Sequence, residues 1–100
     1  MKQFEIYMAD LSSFGLETGT PVVILQSVFN GTDRILCAPV TSRESNDDTH
    51  IMVNIQNGKM AYIMSGQIRN IDKEKLRGKI GELTEEGRQK VKDRFLELMK

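Results

Sequence analysis

The stretch "PVVILQSVFNGTDRILCAPV", Pro21 to Val40, sets the fold class. Its first half is β-branched and continuously apolar, the pattern of a central strand with no face given to solvent. Pro21 is tolerated there because it stands first, where a missing N–H breaks no ladder bond. Asn30-Gly31 is a strong reverse-turn pair, since both residues accept positive φ. "RILCAPV" (Arg34–Val40) then returns antiparallel, and Pro39 near its end marks an edge or a bulge.

Working outward, "FEIYMA" (Phe4–Ala9) alternates and reads as a strand. Beyond the polar run Ser42–Asp48, "HIMVNI" (His50–Ile55) is a fourth strand, and Asn57-Gly58 is a second hairpin signal. "MAYIMSGQIRNI" (Met60–Ile71) is a fifth strand, with a bend expected at Gly66. Lys73 to Arg77 suits a short helical turn, and Lys79–Leu83 a short sixth strand. Thr84 reads as a helix N-cap, with Glu85 and Glu86 placed to complement the positive end of the helix dipole. The helix is expected to run to about Met99. Val91, Phe95 and Leu98 form its apolar stripe, widened by Leu83, Leu96 and Met99. Gly87 should weaken its first turn by about 1 kcal/mol relative to Ala. Five or six short strands with tight turns and one closing helix predict a mainly β protein: a small, partly open β-barrel with a C-terminal α-helix, in one domain over residues 1–100.

Composition narrows function by exclusion. The chain has 100 residues, 39% of them hydrophobic and 28% charged, the balance of a soluble globular domain. No apolar run reaches the length of a membrane span, and the opening residues lack the charge and apolar core of an export signal. With one cysteine there is no internal disulfide, which fits a reducing cytoplasm. Cys37, in mid-strand, reads as a buried inert thiol. Net charge is zero, against a bulk polycation for nucleic acid. Residues 1–65 carry four basic and seven acidic side chains, residues 66–100 ten and seven. This asymmetry reads as solvated helical faces or as a basic strip on one side. One His and one Cys make no zinc site, and neither common glycine-rich phosphate loop occurs, so no metal or cofactor is expected. The six methionines, Met52, Met60 and Met64 among them, suit an adaptable core or an interface, core being the commoner outcome.

What remains for chemistry is a polar set at strand ends: Thr20, Thr41, Ser42, Arg43, His50, Gln67 and Arg69. Each has a bland alternative. Thr41 and Ser42 simply end a strand, His50 packs at a strand start, Arg43 lies in solvent, and Arg69 pairs with Asp72.

Six segments, in order, resemble the MazF/PemK-like toxins of bacterial toxin–antitoxin pairs. "EIYMADLS" (Glu5–Ser12) resembles the family's opening strand, and "GLETGTPVVILQ" (Gly15–Gln26) its Gly-x-Glu…Arg-Pro-Val-Val-Ile-x-Gln segment. "ILCAPVT" (Ile35–Thr41) resembles the strand that ends in a functional threonine, and "THIMVNI" (Thr49–Ile55) its Thr-His-Val-x-Ile. "GQIRNIDKEKL" (Gly66–Leu76) is similar to Gln-Ile-Arg-Thr-Ile-Asp-Lys-x-Arg-Leu, the most specific stretch. "KIGELTEE" (Lys79–Glu86) resembles the approach to the last helix.

The resemblance implies an SH3-like barrel forming a two-fold dimer and a toxin that cleaves single-stranded RNA without metal, by attack of a 2′-hydroxyl on the adjacent phosphate. It implies an antitoxin protein as partner, operator DNA bound only together with that antitoxin, and a cytoplasmic site of action. It carries the threonine over to Thr41. The family's loop arginine is replaced by Thr20, the loop is about two residues shorter, the opening Arg-Gly is Gln3-Phe4, and Gly66 stands where some members carry Asp. A neutral hydroxyl does not substitute for a bidentate guanidinium on phosphate. Arg43, two residues past Thr41, is therefore the expected replacement cation. Glu17, Thr20, Ser42, His50, Gln67 and Arg69 are expected substrate contacts. Two other readings stand beside the nuclease. One is a catalytically impaired barrel that dimerises and binds antitoxin in an apolar groove. The other is a CcdB-like gyrase poison, which leans on a C-terminal Trp that this chain lacks.

Overall fold

The computed structural model describes residues 2–26, 33–43, 50–55 and 58–98. Seven strands precede one helix: β1 Glu5–Ala9, β2 Thr20–Gln26, β3 Arg34–Thr41, β4 His50–Ile55, β5 Lys59–Met64, β6 Arg69–Asp72, β7 Leu76–Glu82 and α1 Glu85–Leu98. Every pairing is antiparallel, in the order β4-β5-β3-β2-β1-β7, with β6 also on β3. A bridge between Ile55 and Leu83 joins the two ends, so the sheet curls into a nearly closed barrel.

The β2–β3 hairpin forms as expected, from Val22 opposite Pro39 to Gln26 opposite Leu36, with a bulge between Ile24 and Gln26. Its turn, Asn30-Gly31, lies outside the described residues, as does most of the polar run after β3. The unbroken apolar reading of β2 has a direct cause, since both its faces are buried. Val23 and Leu25 point into the barrel core with Phe4, Ile6, Ala38, Ile63, Leu83 and Val91. Val22 and Ile24 point into a second core with Leu11, Ile35, Cys37 and Ile71. The β4–β5 hairpin also forms, and Gly58 has the positive φ of 77° that a tight turn wants.

Four expectations about the strands need correction. Phe4 is not a strand residue: it has φ 69°, unusual for a bulky side chain, and it plugs the core while β1 starts at Glu5. Met60–Ile71 is two strands rather than one bent strand, because a 3-10 turn over Ser65–Gln67 separates β5 from β6. The last strand begins three residues earlier than Lys79, after a 3-10 turn over Lys73–Lys75. Pro39 is neither on an edge nor bulged, since β3 is central. Its second side is covered by β6 over Arg34–Cys37 and by β5 over Val40–Thr41, and Pro39 falls between them. A residue without an N–H strands no donor at that break.

The helix is capped as its sequence suggests: the Thr84 hydroxyl accepts the Gly87 N–H at 3.1 Å. Val91 is fully buried and Phe95 half-buried on the core face. Leu96 is 63% exposed and off that face, as its 100° offset from Phe95 requires. Met52 and Met60 are likewise exposed rather than core residues, because they alternate with buried Ile51, Val53 and Ala61.

Gly87 packs against β4. A Cβ there would sit 3.0 Å from the Asn54 carbonyl oxygen. That oxygen is pinned, accepting the Thr84 N–H at 3.1 Å and the Thr84 hydroxyl at 3.2 Å. Gly87→Ala is therefore expected to forfeit the usual gain of about 1 kcal/mol in helix propensity. A net loss of stability of about 1 kcal/mol should appear in urea denaturation; a stabilised variant would show that the helix can slide on β4.

Candidate functional site

The break in pairing along β3 makes a cleft. Where β6 hands over to β5, the 3-10 turn Ser65–Gln67 crosses the gap, and the loop between β1 and β2 forms the facing wall. The concavity is about 410 Å³ and is lined by Glu17 and Thr20 from the loop side, Thr41 and Arg43 from the end of β3, and Gln67 from the turn. Leu16, Pro21, Pro39, Val40 and Met64 supply apolar wall. Five residues singled out in the sequence thus share one cleft.

Hydrogen bonding gives these groups different capacities. Thr41 Oγ1 accepts the backbone N–H of Arg43 at 3.1 Å, which fixes the turn after β3. That bond occupies a lone pair and leaves the hydroxyl proton to donate elsewhere. Thr20 is the reverse case: its hydroxyl donates to the Glu17 carbonyl at 3.1 Å, so its proton ties the loop to the start of β2. Arg43 is exposed, and no described carboxylate pairs with it. Glu17 is the one carboxylate lining the cleft among the described residues.

Three residues stand apart. Ser42 is exposed between Thr41 and Arg43 without lining the cleft. His50 opposes Met64 across β4 and β5, half-buried, one strand away from the cleft wall. Arg69 opposes Cys37, with its guanidinium 5.2 Å from the centre of the Phe14 ring. The Arg69–Asp72 pair does not form, because Arg34 takes Asp72 at 3.0 Å and Asn70 at 2.7 Å. The apolar lining was missed in the sequence. Its one signal was Pro39, an N–H-free residue inside a buried strand.

Cys37 is fully buried in the second core, and that burial pushes its thiol up to about 12, with the Arg69 charge pulling weakly the other way. An unfolded cysteine ionises near ~8.5. Between roughly pH 9 and 12 the unfolded chain therefore releases a proton that the folded one keeps, and stability falls as pH rises through that window. Below it, native protein should resist iodoacetamide at pH 8 and react once denatured. Rapid native labelling would show that the second core opens.

A larger concavity of about 610 Å³ lies elsewhere, between α1 and the β2–β3 hairpin, walled by Phe4, Leu25, Leu36, Phe95 and Leu96, with Lys92 beside them. Its chemistry is that of a seat for apolar side chains. Among the described residues no group of three His, Cys, Asp or Glu could hold a metal ion, and no helix is long and apolar enough to cross a membrane.

Comparison with known proteins places these features in context. The profile of the PemK-like, MazF-like toxins of type II toxin-antitoxin systems matches residues 2–99. No curated protein matches the chain significantly. Among solved structures, a MazE–MazF complex from Deinococcus radiodurans superposes with a TM-score of 0.74 at 17% identity, covering 99% of this chain and 95% of that one. An endoribonuclease from a mycobacterial species gives 0.72 at 17% identity over 94% and 86%. The Mycobacterium tuberculosis toxin MazF-mt6 gives 0.69 at 21% identity over 90% of each chain.

Proposed function

This chain belongs to the PemK-like, MazF-like toxins of type II toxin-antitoxin systems, and from that membership we propose that it is an endoribonuclease toxin whose cleft cuts single-stranded RNA without a metal ion. The observation that carries the reading is the convergence of Glu17, Thr41, Arg43 and Gln67 on one concavity.

The reaction is an internal transesterification. The 2′-oxygen attacks the adjacent phosphorus, the bond from phosphorus to the 5′-oxygen breaks, and a 2′,3′-cyclic phosphate and a 5′-hydroxyl remain. Glu17 is the base that takes the 2′-hydroxyl proton, being the carboxylate that lines the cleft among the described residues. Thr41 donates its hydroxyl proton to a non-bridging phosphate oxygen. Arg43 supplies the positive charge that the phosphorane needs, in the role that the loop arginine plays in relatives. Thr20 shapes the loop, Gln67 contacts the substrate, and water protonates the departing 5′-oxygen.

Incubation of the purified protein with a mixed single-stranded RNA pool in EDTA should yield discrete fragments. No cleavage at high enzyme concentration would contradict the reading. The replacement of the loop arginine by Thr20 favours a second one, a barrel that binds RNA without cutting it; crosslinking without cleavage is its signature.

An antitoxin is the proposed protein partner, since two of the similar structures are MazE–MazF complexes. Its disordered segment would fold into the apolar groove beside Lys92, where an acidic peptide is favoured. A homodimer, operator DNA bound together with the antitoxin, and a cytoplasmic location complete the proposal.

A further inference from the structure

Phe14 is a large aromatic side chain left 41% exposed on the loop before the cleft. The exposure does not come from a slack loop. The Phe14 N–H bonds to the Leu11 carbonyl at 3.0 Å, the Leu16 N–H to the same oxygen at 3.2 Å, and the Gly15 N–H to the Ser12 carbonyl at 3.1 Å. Asp10 braces the turn from outside: its carboxylate accepts the Ser12 N–H at 3.0 Å and the Ser12 hydroxyl at 2.7 Å. Gly15, at φ 80°, closes the turn in a conformation few other residues adopt. The backbone that carries the ring is thus fixed by hydrogen bonds.

Over the ring lies Arg69, its guanidinium carbon 5.2 Å from the ring centre. Its Nε is buried and has no hydrogen-bond partner among the described residues. Ion pairing with Asp72 does not occupy it either, as that carboxylate is held by Arg34. A rigid exposed ring backed by a guanidinium is what a nucleobase stacks on. Position makes the match specific. Leu16 and Glu17, just after Phe14, and Gln67, two residues before Arg69, all line the cleft.

We infer that Phe14, backed by Arg69, is a stacking shelf for the nucleobase next to the bound phosphodiester, holding the strand in register with Thr41 and Arg43. The inference rests on the cleft being the RNA site. Arg69 acts here as a positioning residue, fixing the ring and adding positive charge on the strand's path. Base–aromatic stacking contributes about 1–3 kcal/mol per base and tolerates any base. Its loss corresponds to roughly 5- to 150-fold weaker binding.

The native chain has no tryptophan, so Phe14→Trp introduces a single fluorophore at the shelf. The probes are 2′-fluoro octamers of U, C and A, which cannot undergo internal attack. Binding is expected to quench the Phe14→Trp signal and to leave an Ile80→Trp control, exposed on β7, unquenched. Phe14→Ala should weaken octamer binding by about tenfold or more with unchanged melting temperature, and Phe14→Tyr should restore it. Arg69→Ala should weaken binding less and reduce the quench. Octamer binding with no quench, or with full affinity in Phe14→Ala, overturns the shelf even if the wild type cuts RNA. Quenching in a protein that never cuts RNA supports the shelf and removes the nuclease.

Discussion

Arg43→Ala should lower the single-turnover rate of RNA cleavage by about 10²–10³-fold while leaving the melting temperature unchanged. The size follows from losing one preorganised donor to a transition state whose added charge sits on phosphate oxygens. Position 43 offers a particularly clean test, because the side chain is exposed and pairs with no carboxylate among the described residues. Arg43→Lys keeps the charge and loses the two-pronged geometry, so it should recover part of the rate. Thr41→Ala should cost about 10²-fold, and Thr41→Ser should rescue it, since only the hydroxyl is needed to donate and to receive the Arg43 N–H. The double variant should be little worse than the worse single one, because both groups serve the same oxygens. An Arg43→Ala enzyme that cuts at the wild-type rate places the cation elsewhere.

Leu83→Ala should be the most damaging of the conservative core truncations. Leu83 is fully buried in the barrel core with Phe4, Ile6, Val53 and Val91, at the point where the sheet closes against Ile55. Its side chain therefore packs in the cluster that joins β4, the helix and the plug at Phe4. Truncating a buried leucine costs about 2–5 kcal/mol, a large share of the roughly 5–15 kcal/mol that holds a typical domain. For a chain of this size that lowers the melting temperature by about 10–25 °C at a mid-range loss. Circular dichroism on heating should show the sheet and helix melting together. A shift under about 3 °C would mean that the seam between β4 and β7 contributes little to the barrel.

Much of the barrel was legible because its strands obey local rules. β2 read correctly as central because burial on both faces leaves no polar alternation, and β4 showed its two faces through Ile51 and Val53 against Met52 and Asn54. The helix start was legible from Thr84 because a cap is a local event. The split between β5 and β6 was not, since Gly66 signals a bend equally well for a kinked strand and for a turn. Nor was the meaning of Pro39, because which strands flank β3 depends on partners 21–23 positions away in β5 and 32–38 positions away in β6. Gly87 was read as a weakness of the helix. Its reason, the Asn54 carbonyl, belongs to another element.

The cleft divides in the same way. Thr41, Arg43 and Gln67 carried polar signals at strand ends and proved to line one concavity. Met64 and Val40 gave none, since an apolar residue on a cleft wall reads like any core residue. Phe14 escaped notice because exposure of one aromatic residue is a tertiary fact. The stack with Arg69 joins residues 55 positions apart.

The most direct test of the cleft as a nuclease site replaces a single 2′-hydroxyl. An RNA with one mapped cleavage position is compared with the same RNA carrying 2′-deoxy at the nucleotide just 5′ of the broken bond, under single turnover in EDTA. Internal attack at the end of β3 predicts a cyclic phosphate from the first and no cut at that position in the second. Cleavage of the deoxy substrate there, or 5′-phosphate ends from the first, would contradict it.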